Sequence, residues 1–479
     1  MNIGEPWPDS DAAWSRVLKI HTKLHQWATD DPKRRFDDLY NLVYDPAVLV
    51  MAWERVRGNR GARSAGVDGV APRSIVFGAA DLLAGLRDDL KARAFEPLAV
   101  RERMIPKTGG KLRRLGIPTV RDRVVQAALK LVLEPVFEAD FKPCSHGFRP
   151  GRRAQDAIAE IRHLSSVRYE WVLEGDITAC FDEIDHTALM GRVRGRIGDK
   201  RVLGLVKAFL KAGVLGEDGI NRDTDTGTPQ GGILSPLLAN IALSVLDDHF
   251  VEAWRNEMAT AYQRKKRRQR GKPNYRLVRY ADDFVVLIHG TNADADALRG
   301  EVAAILATVG LRLSEAKTTI AHIDEGFEFL GFRIQRHRKR GMAKHFVYTY
   351  PSKTSLRKVM ARVKTLCRQG RNEPLSELLR RLNPVLRGWT NYFRHGVSKA
   401  TFGYLRSYTW RRVVHWLRRS TPMPTGSGSD AATFRGGGQP RARRRCSTPG
   451  RCASPTPATT VRSTMSRLGQ PERRRSAMT

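Results

Sequence analysis

The sequence is poor in cysteine and has no paired cysteine motif. None of its five cysteines forms a C-x-x-C pair, so neither a zinc ribbon nor a disulfide framework is indicated, and a reducing cytoplasm fits. These residues are Cys144, Cys180, Cys367, Cys446 and Cys452. No apolar run approaches the roughly 20 residues of a membrane-spanning helix. Residues 1–11 are acidic and lack an apolar signal core, which argues against secretion.

Acidic residues are also scarce relative to basic ones. The 479 residues include 84 Lys and Arg against 49 Asp and Glu, a formal net charge of +35. This excess is larger than surface solvation requires and predicts a polyanionic partner, with nucleic acid ahead of a membrane. Hydrophobic residues make up 41%, so a sizeable core and two or three domains are expected.

Two adjacent carboxylates interrupt an otherwise apolar strand–turn–strand pattern over residues 276–288. The flanking segments are β-branched and apolar, and the turn holds Asp282 and Asp283. Carboxylates between apolar strands are costly unless they are hydrogen-bonded, protonated or bound to a cation. This stretch alone leaves two interpretations open, a solvated turn and part of a metal site.

The segment over residues 171–182 is also predicted to hold a strand that ends at a carboxylate. Asp176 is well placed to reach a metal site, although a lone Asp at this position is more commonly a turn or cap residue. A Gly-rich turn around Gln230 precedes an apolar helix predicted over residues 237–250. Its glycines let the backbone approach a flat ligand closely.

A basic hairpin is predicted over residues 103–118, with Gly109-Gly110 at its turn. Lys107 and Arg113 could clamp a triphosphate, with Lys as a point charge and Arg as a bidentate fork. A solvated edge hairpin protected by Lys is the common alternative. Further along, residues 264–270 form a purely basic run, predicted to be an exposed loop that contacts phosphates.

The ordered set of motifs closely resembles reverse transcriptases, and specifically bacterial group II intron-encoded proteins. The resemblance covers about residues 42–417 and rests on the following segments: Ile105-Pro106-Lys107 with Lys111-Leu112-Arg113, Gly147-Phe148-Arg149-Pro150-Gly151, Asp176 with Phe181, Thr228-Pro229-Gln230-Gly231-Gly232, Tyr280-Ala281-Asp282-Asp283, Phe329-Leu330-Gly331-Phe332, and the maturase-like Pro351-Ser352-Lys353 and Gly388-Trp389-Thr390-Asn391-Tyr392-Phe393. Any one of these motifs could arise by chance, whereas the ordered set is specific.

The resemblance implies site residues and cofactors. Asp176 and Asp282 would be the primary metal ligands and Asp283 the supporting carboxylate of a two-ion site. The ions would be Mg²⁺, with Mn²⁺ as a possible substitute. Lys107 and Arg113 would hold the phosphates of the incoming deoxynucleoside triphosphate, Gln230 would contact that nucleotide, and Phe181 would exclude a 2′-hydroxyl. Lys317 aligns with a proposed acid for pyrophosphate, although an exposed lysine is the commoner explanation.

The implied fold is an α+β right-hand polymerase followed by an α-helical thumb or maturase domain. We expect an N-terminal extension and the start of the fingers over residues 1–100, fingers and palm over 101–340, thumb over 350–419, and a disordered tail over 420–479. The expected enzyme is an RNA-directed DNA polymerase that also binds group II intron RNA and assists splicing and retromobility. Its other partners would be an RNA template and a DNA primer or target, with no membrane and a bacterial cytoplasmic, nucleoid-associated location.

Two alternatives remain, each with a discriminating feature. A splicing-only maturase would keep the fold without polymerising, which the intact carboxylates disfavour. A reverse transcriptase of another retroelement or of a defence system is disfavoured by the maturase-like motif at residues 388–393.

The sequence after Arg419 suggests a frameshift. Family members continue with a Lys-His-Pro motif, spaced Trp residues, Arg-Tyr-Leu-Pro and Trp-Trp-Pro-Thr, whereas this chain turns to low-complexity sequence. Codons shifted by one base permit those motifs at residues 420–422, 426–428, 430–435 and 437–440. The competing interpretation is a genuine Arg-rich arm that binds nucleic acid. A frameshift would leave the protein without the family's C-terminal DNA-binding segment, and no Cys/His cluster suited to a metal-dependent nuclease is seen.

Overall fold

The computed structural model describes residues 7–106, 112–339, 341–369 and 373–420. The predicted sites at Lys107 and the Gly109-Gly110 turn, and the tail beyond residue 420, lie outside these ranges. The described helices are α1 (Ser10–Asp30), α2 (Tyr40–Val43), α3 (Pro46–Gly58), α4 (Ala79–Ala92), α5 (Val120–Asp140), α6 (Ala154–Ser166), α7 (Cys180–Glu183), α8 (His186–Arg196), α9 (Lys200–Lys211), α10 (Ser235–Ala253), α11 (Ala261–Gln269), α12 (Asn292–Ala307), α13 (Lys353–Gln369), α14 (Leu375–Phe393) and α15 (Lys399–Ser420). None of them is long and apolar enough to cross a membrane.

The strands form three sheets in the described residues. They are β1 (Val100–Pro106), β2 (Leu112–Ile117), β3 (Trp171–Gly175), β4 (Val214–Leu215), β5 (Asn221–Arg222), β6 (Asn274–Tyr280), β7 (Asp283–His289), β8 (Thr319–His322), β9 (Phe327–Phe329), β10 (Phe332–Arg338) and β11 (His345–Pro351). The first sheet has the order β2-β1-β4-β5, the central sheet β6-β7-β3-β8, and the third β11-β10-β9.

The central sheet is covered on both faces, which explains its continuous apolar run. Alternate side chains of β7 belong to different cores. Val286 and Ile288 join a core that includes residues of α10 and α12. Val285 and Leu287 join one that includes residues of α6 and of β9 and β10. Both strands of the predicted hairpin are confirmed, and they are antiparallel.

The predicted basic hairpin is also confirmed in its described strands. β1 and β2 are antiparallel, with Arg101 opposite Ile117 and Pro106 opposite Leu112. β1 also pairs in parallel with the short strand β4. The hairpin therefore forms the edge of a small sheet of its own, separate from the central sheet.

The basic run at residues 264–270 is mostly helical, so the loop prediction was wrong. α11 has a capping box in which Thr260 and Gln263 exchange side-chain and backbone hydrogen bonds. Arg264 adds hydrogen bonds to the Met258 and Ala259 carbonyl oxygens. Local capping and tertiary bonds thus form a helix where apolar periodicity gives no signal.

The last three helices share a core of their own, and α14 also packs against the third sheet. Phe393 of α14 lies 4.7 Å from the ring of Phe332, and the Tyr392 hydroxyl donates to the Leu330 carbonyl oxygen at 2.9 Å. Residues of the maturase-like motif are therefore core contacts between α14 and the turn between β9 and β10. The order of elements, a mixed α+β region followed by helices, confirms the predicted fold class.

Candidate active site

Strand register brings the three predicted carboxylates to one edge of the central sheet. Gly175, the last residue of β3, pairs with Phe284, and Tyr280 pairs with Asp283 across the hairpin. Asp176 therefore follows β3 directly beside the turn that carries Asp282 and Asp283. Three carboxylates from two segments, the end of β3 and the turn between β6 and β7, thus lie at one edge of the sheet.

Burial and the negative charges at this edge raise the pKa values of neighbouring carboxyl groups. The pKa of Asp283 is raised to about 6, first by partial removal from water and then by the charges of Asp282 and Asp176. Glu174, on β3, has its pKa raised to about 7 by burial and then by Asp283, Glu328 and Asp176. An excess of hard oxygen donors at one edge is suited to a divalent cation such as Mg²⁺.

The side chains of Asp176, Asp282 and Asp283 are not positioned to coordinate one metal ion together. Among the described residues, no three His, Cys, Asp or Glu side chains meet the geometry of a metal site. The ammonium of Lys317 lies 2.7 Å from Asp176 Oδ2. This lysine follows α12, and it offsets part of the negative charge that Asp283 experiences. The residue types fit a cation, and Lys317 competes for one of the oxygens.

A buried arginine fixes the turn that carries Asp282. Arg279 is fully buried, and its Nη1 donates to the Ala281 carbonyl oxygen and to Asn240 Oδ1, both at 2.9 Å. Its Nε and Nη2 donate to Asp247 Oδ1 and Oδ2 at 2.8 and 2.5 Å. Ala281 has a φ of 58°, a left-handed conformation that costs energy for a residue other than glycine. The guanidinium therefore holds a strained residue next to the metal-binding candidates.

Two glycines allow the close approach of backbone to this turn. A Cβ on Gly147 would lie 2.3 Å from the Ala281 nitrogen, and one on Gly175 would lie 2.1 Å from the ring of Phe284. Gly147 is also held in place, because its carbonyl oxygen accepts from Asn240 Nδ2 at 2.8 Å. The loop at residues 145–147 thus packs behind the hairpin that carries Asp282 and Asp283.

The predicted nucleotide residues lie on a second, connected group of elements. Arg113 of the basic hairpin donates to Gln230 Oε1 at 2.7 Å, and the Gln230 carbonyl oxygen accepts from the Gly116 nitrogen at 2.7 Å. Phe181, which is 9% exposed, is tied to the same Gly-rich turn because its carbonyl oxygen accepts from the Thr228 nitrogen at 2.6 Å. Arg113, Gln230 and Phe181 therefore belong to one hydrogen-bonded assembly.

Sequence reasoning missed the residues that support the site. Arg279, Asp247 and Asn240 form a buried polar network, and Glu174 adds a fourth carboxylate to the edge. A usable signal existed for two of them. Arg279 lies in an apolar strand and Asp247 in an apolar helix, and a charge in such a segment predicts a buried partner.

Comparison with known protein families gives two adjacent matches. Residues 105–334 match the family "Reverse transcriptase (RNA-dependent DNA polymerase)", and residues 356–430 match "Group II intron, maturase-specific domain". The first range includes all three carboxylates and the predicted nucleotide residues. The second includes nearly all of α13 and the whole of α14 and α15.

Individual relatives agree with these matches. Protein YkfC of Escherichia coli is 38% identical over 353 residues, which cover 70% of this chain and 92% of that protein. The group II intron-encoded protein LtrA of Lactococcus lactis is 32% identical over 379 residues, 68% of this chain and 61% of LtrA. A 91 kDa protein in the cob intron of Schizosaccharomyces pombe is 28% identical over 465 residues, 82% of this chain and 57% of that protein.

The two matched domains occur in the order that the sequence motifs predict, a polymerase domain followed by a maturase domain. The polymerase domain is that of an RNA-directed DNA polymerase, and the domain after it is specific to group II introns. The chain therefore belongs to the group II intron-encoded reverse transcriptases with maturase function.

Proposed function

We propose that the protein extends a DNA primer on an RNA template by a two-metal mechanism at Asp176, Asp282 and Asp283. The observation that supports this most directly is the pairing of Gly175 with Phe284, since it sets the first carboxylate beside the other two. Asp176 and Asp282 would be the primary ligands and Asp283 the supporting one. Bound Mg²⁺, or Mn²⁺ in its place, would supply Lewis-acid stabilisation of the attacking and leaving oxygens.

The reaction forms one bond and breaks one. The primer 3′-hydroxyl passes its proton to solvent water, its oxygen attacks the α-phosphorus of the deoxynucleoside triphosphate, and the bond from that phosphorus to the bridging oxygen breaks to release pyrophosphate. The three carboxylates would bind the metal ions, and the primer end and the triphosphate would bind to those ions. Arg279 keeps the turn of Asp282 in place throughout, because its guanidinium is bound on several sides.

The nucleotide would lie between the carboxylates and the basic hairpin. Arg113 and Lys107 would hold its phosphates, with Arg113 already oriented by Gln230. Gln230 would contact the incoming nucleotide, and Phe181 would exclude a 2′-hydroxyl from the sugar position. Lys317, which donates to Asp176 Oδ2, would protonate the departing pyrophosphate if it acts as an acid.

The test is primer extension with purified protein, an RNA template, a DNA primer and deoxynucleoside triphosphates. Asp282→Ala should abolish extension while intron RNA binding persists. Asp88→Ala, which removes an exposed carboxylate from α4, should extend normally. Extension by Asp282→Ala at the wild-type rate would contradict the assignment. A wild-type protein that promotes splicing but extends no primer would instead be a splicing-only maturase.

We also propose that the protein binds its intron RNA and assists splicing and retromobility. The maturase-specific match and the net charge of +35 support this second function. The RNA would be the splicing catalyst and the protein its scaffold, held by shape and phosphate contacts. A splicing assay with Asp282→Ala tests whether this function is independent of polymerisation. Binding to intron RNA would keep the protein nucleoid-associated in the bacterial cytoplasm.

We assign the N-terminal extension and start of the fingers to residues 1–100, fingers and palm to 101–340, thumb to 350–419, and a separate tail to 420–479. The maturase match ends at residue 430.

The nucleotide sequence tests the frameshift hypothesis. The hypothesis requires codons that spell the family motifs in the shifted frame, and any other codons would make the tail a genuine Arg-rich arm.

A further inference from the structure

Helix α11 presents a set of cations that the polymerase site does not use. Residues 260–272 contain seven Lys and Arg and no Asp or Glu. Five of these side chains are exposed, and we call them the α11 basic face: Lys265, Lys266, Arg268, Arg270 and Lys272. Among the described residues, none of the five forms an ion pair with a carboxylate, and Arg268 instead lies 3.3 Å from His289 Nδ1.

The other two cations anchor the helix. Arg264 stacks 5.3 Å from the ring of Trp254 and binds two carbonyl oxygens. Arg267 pairs with Glu257 and donates to the Pro273 carbonyl oxygen at 2.9 Å. Because Arg264 and Arg267 point inward, they fix the helix next to the start of β6. The remaining cations face solvent.

The charge of the α11 basic face is unbalanced. Like charges at i,i+4 spacing on a helix, as at Lys266 and Arg270, destabilise it by a few tenths of a kcal/mol. Burial chiefly lowers the pKa of the neighbouring His289, Arg268 and Arg168 lower it further, and Glu170 acts in the opposite direction. A surface that concentrates cations without internal neutralisation is suited to an external polyanion.

The α11 basic face is remote from the catalytic turn. β6 begins at Asn274, opposite His289, and reaches the turn six residues later at Tyr280. At about 3.3 Å per strand residue, the separation is roughly 20 Å. The cations therefore cannot contact the incoming nucleotide or the primer end.

The residue types of α11 favour a nucleic acid over a membrane surface as its polyanionic partner. A membrane surface requires an apolar face on the helix, and no residue of α11 is buried while its apolar residues are only Ala261 and Tyr262. Tyr262 is 70% exposed and carries Lys266 5.8 Å from its ring, so it adds no buried apolar surface that could enter a bilayer. Exposed cations without an apolar face favour the phosphates of a nucleic acid over a membrane.

We propose that the α11 basic face docks a folded, double-helical segment of the intron RNA through its phosphates, away from the primer and template. The inference rests on the proposed maturase function and assigns it a second contact surface on the polymerase domain. Contact would run along the backbone, because side chains cannot read the deep, narrow major groove of A-form RNA. Arg264 and Arg267 would serve only to hold the helix.

The experiment compares two triple variants of the full chain. The first carries Lys265→Gln, Lys266→Gln and Arg270→Gln, which keep helix propensity and the inward anchors. The second carries Lys200→Gln, Lys207→Gln and Lys211→Gln, which remove the same charge from exposed positions on α9. Affinity for the intron RNA is measured at several salt concentrations, and primer extension is measured on a short unrelated template at saturating substrate.

The α11 variant should bind the intron RNA at least about tenfold more weakly, with a log–log salt slope smaller by about 2 to 3. Its kcat for primer extension should stay within about twofold of wild type, and the α9 variant should match wild type in both assays. Unchanged affinity and slope in the α11 variant, while wild type binds the intron RNA, would overturn the inference alone. Wild-type protein that prefers the intron RNA no more than an unrelated RNA of equal length would overturn the maturase function as well.

Discussion

Arg279 and Asp247 form an ion pair in which both side chains are completely buried, directly beneath the turn of Asp282. The pair joins α10 to the hairpin that carries Asp282 and Asp283, and Arg279 Nη2 also donates to Ser145 Oγ at 2.8 Å. Removing one partner of a buried pair typically costs about 3–5 kcal/mol, since the other charge is left without compensation. Replacing both partners with apolar residues leaves no unpaired buried charge, which allows stability and positioning to be separated.

We expect the double variant Arg279→Met/Asp247→Leu to unfold at a higher temperature than Arg279→Met alone. Its kcat for primer extension should nevertheless remain at least about tenfold below wild type, because the Ala281 carbonyl oxygen has lost its donor. Thermal unfolding and steady-state kinetics measure the two effects, and the KM for the nucleotide should change less than kcat. Recovery of kcat together with stability would reduce Arg279 to a purely structural role.

The sequence predicted the strands that carry the candidate carboxylates better than the residues that support them. Apolar, β-branched residues identify both strands around Asp282, and Asp176 follows a strand of the same kind, so a meeting of these carboxylates could be expected. The partners of Arg279 lie 32 and 39 residues away on α10, at a distance that only packing determines. Arg113 and Gln230 could be named individually, but their mutual hydrogen bond depends on how two sheets and a turn meet.

Gly147→Ala should strongly lower the rate of primer extension, although it adds only one methyl group. The added Cβ would lie 2.3 Å from the Ala281 nitrogen, so the backbone of the turn must shift. A displacement of this kind near the reacting groups can cost about 100-fold in rate. Gly204→Ala on α9 is the matched control, since its Cβ meets nothing within 4 Å and helix propensity improves. Primer extension at wild-type kcat by Gly147→Ala would show that the turn tolerates the shift.

Lys317 offers a direct test of competition for the metal. Its ammonium lies 2.7 Å from Asp176 Oδ2, so a divalent cation that uses this oxygen must displace it. Lys317→Met should lower the Mg²⁺ concentration for half-maximal extension several-fold, because a competing positive charge is removed. Titration of activity with Mg²⁺ measures the change.

The same variant distinguishes the alternative role of Lys317. Competition leaves kcat at saturating Mg²⁺ close to wild type. A fall in kcat of more than about tenfold at saturating Mg²⁺, with no change in the Mg²⁺ requirement, would instead assign Lys317 as the acid for the leaving pyrophosphate.

Phe181 should determine whether the enzyme accepts ribonucleotides. The residue is 9% exposed, and its backbone is fixed to the Gly-rich turn by Thr228, so its ring cannot withdraw freely. Phe181→Val would open space at the sugar position, and we expect the ratio of kcat/KM for deoxynucleotides to that for ribonucleotides to fall at least about tenfold, or ~1.4 kcal/mol. Phe209→Val on α9 removes a similarly buried ring away from the site. It should lower stability comparably while sugar discrimination stays intact. Equal discrimination in both variants would make Phe181 a plain core residue, and the preference for DNA synthesis would then have to come from other groups around Gln230.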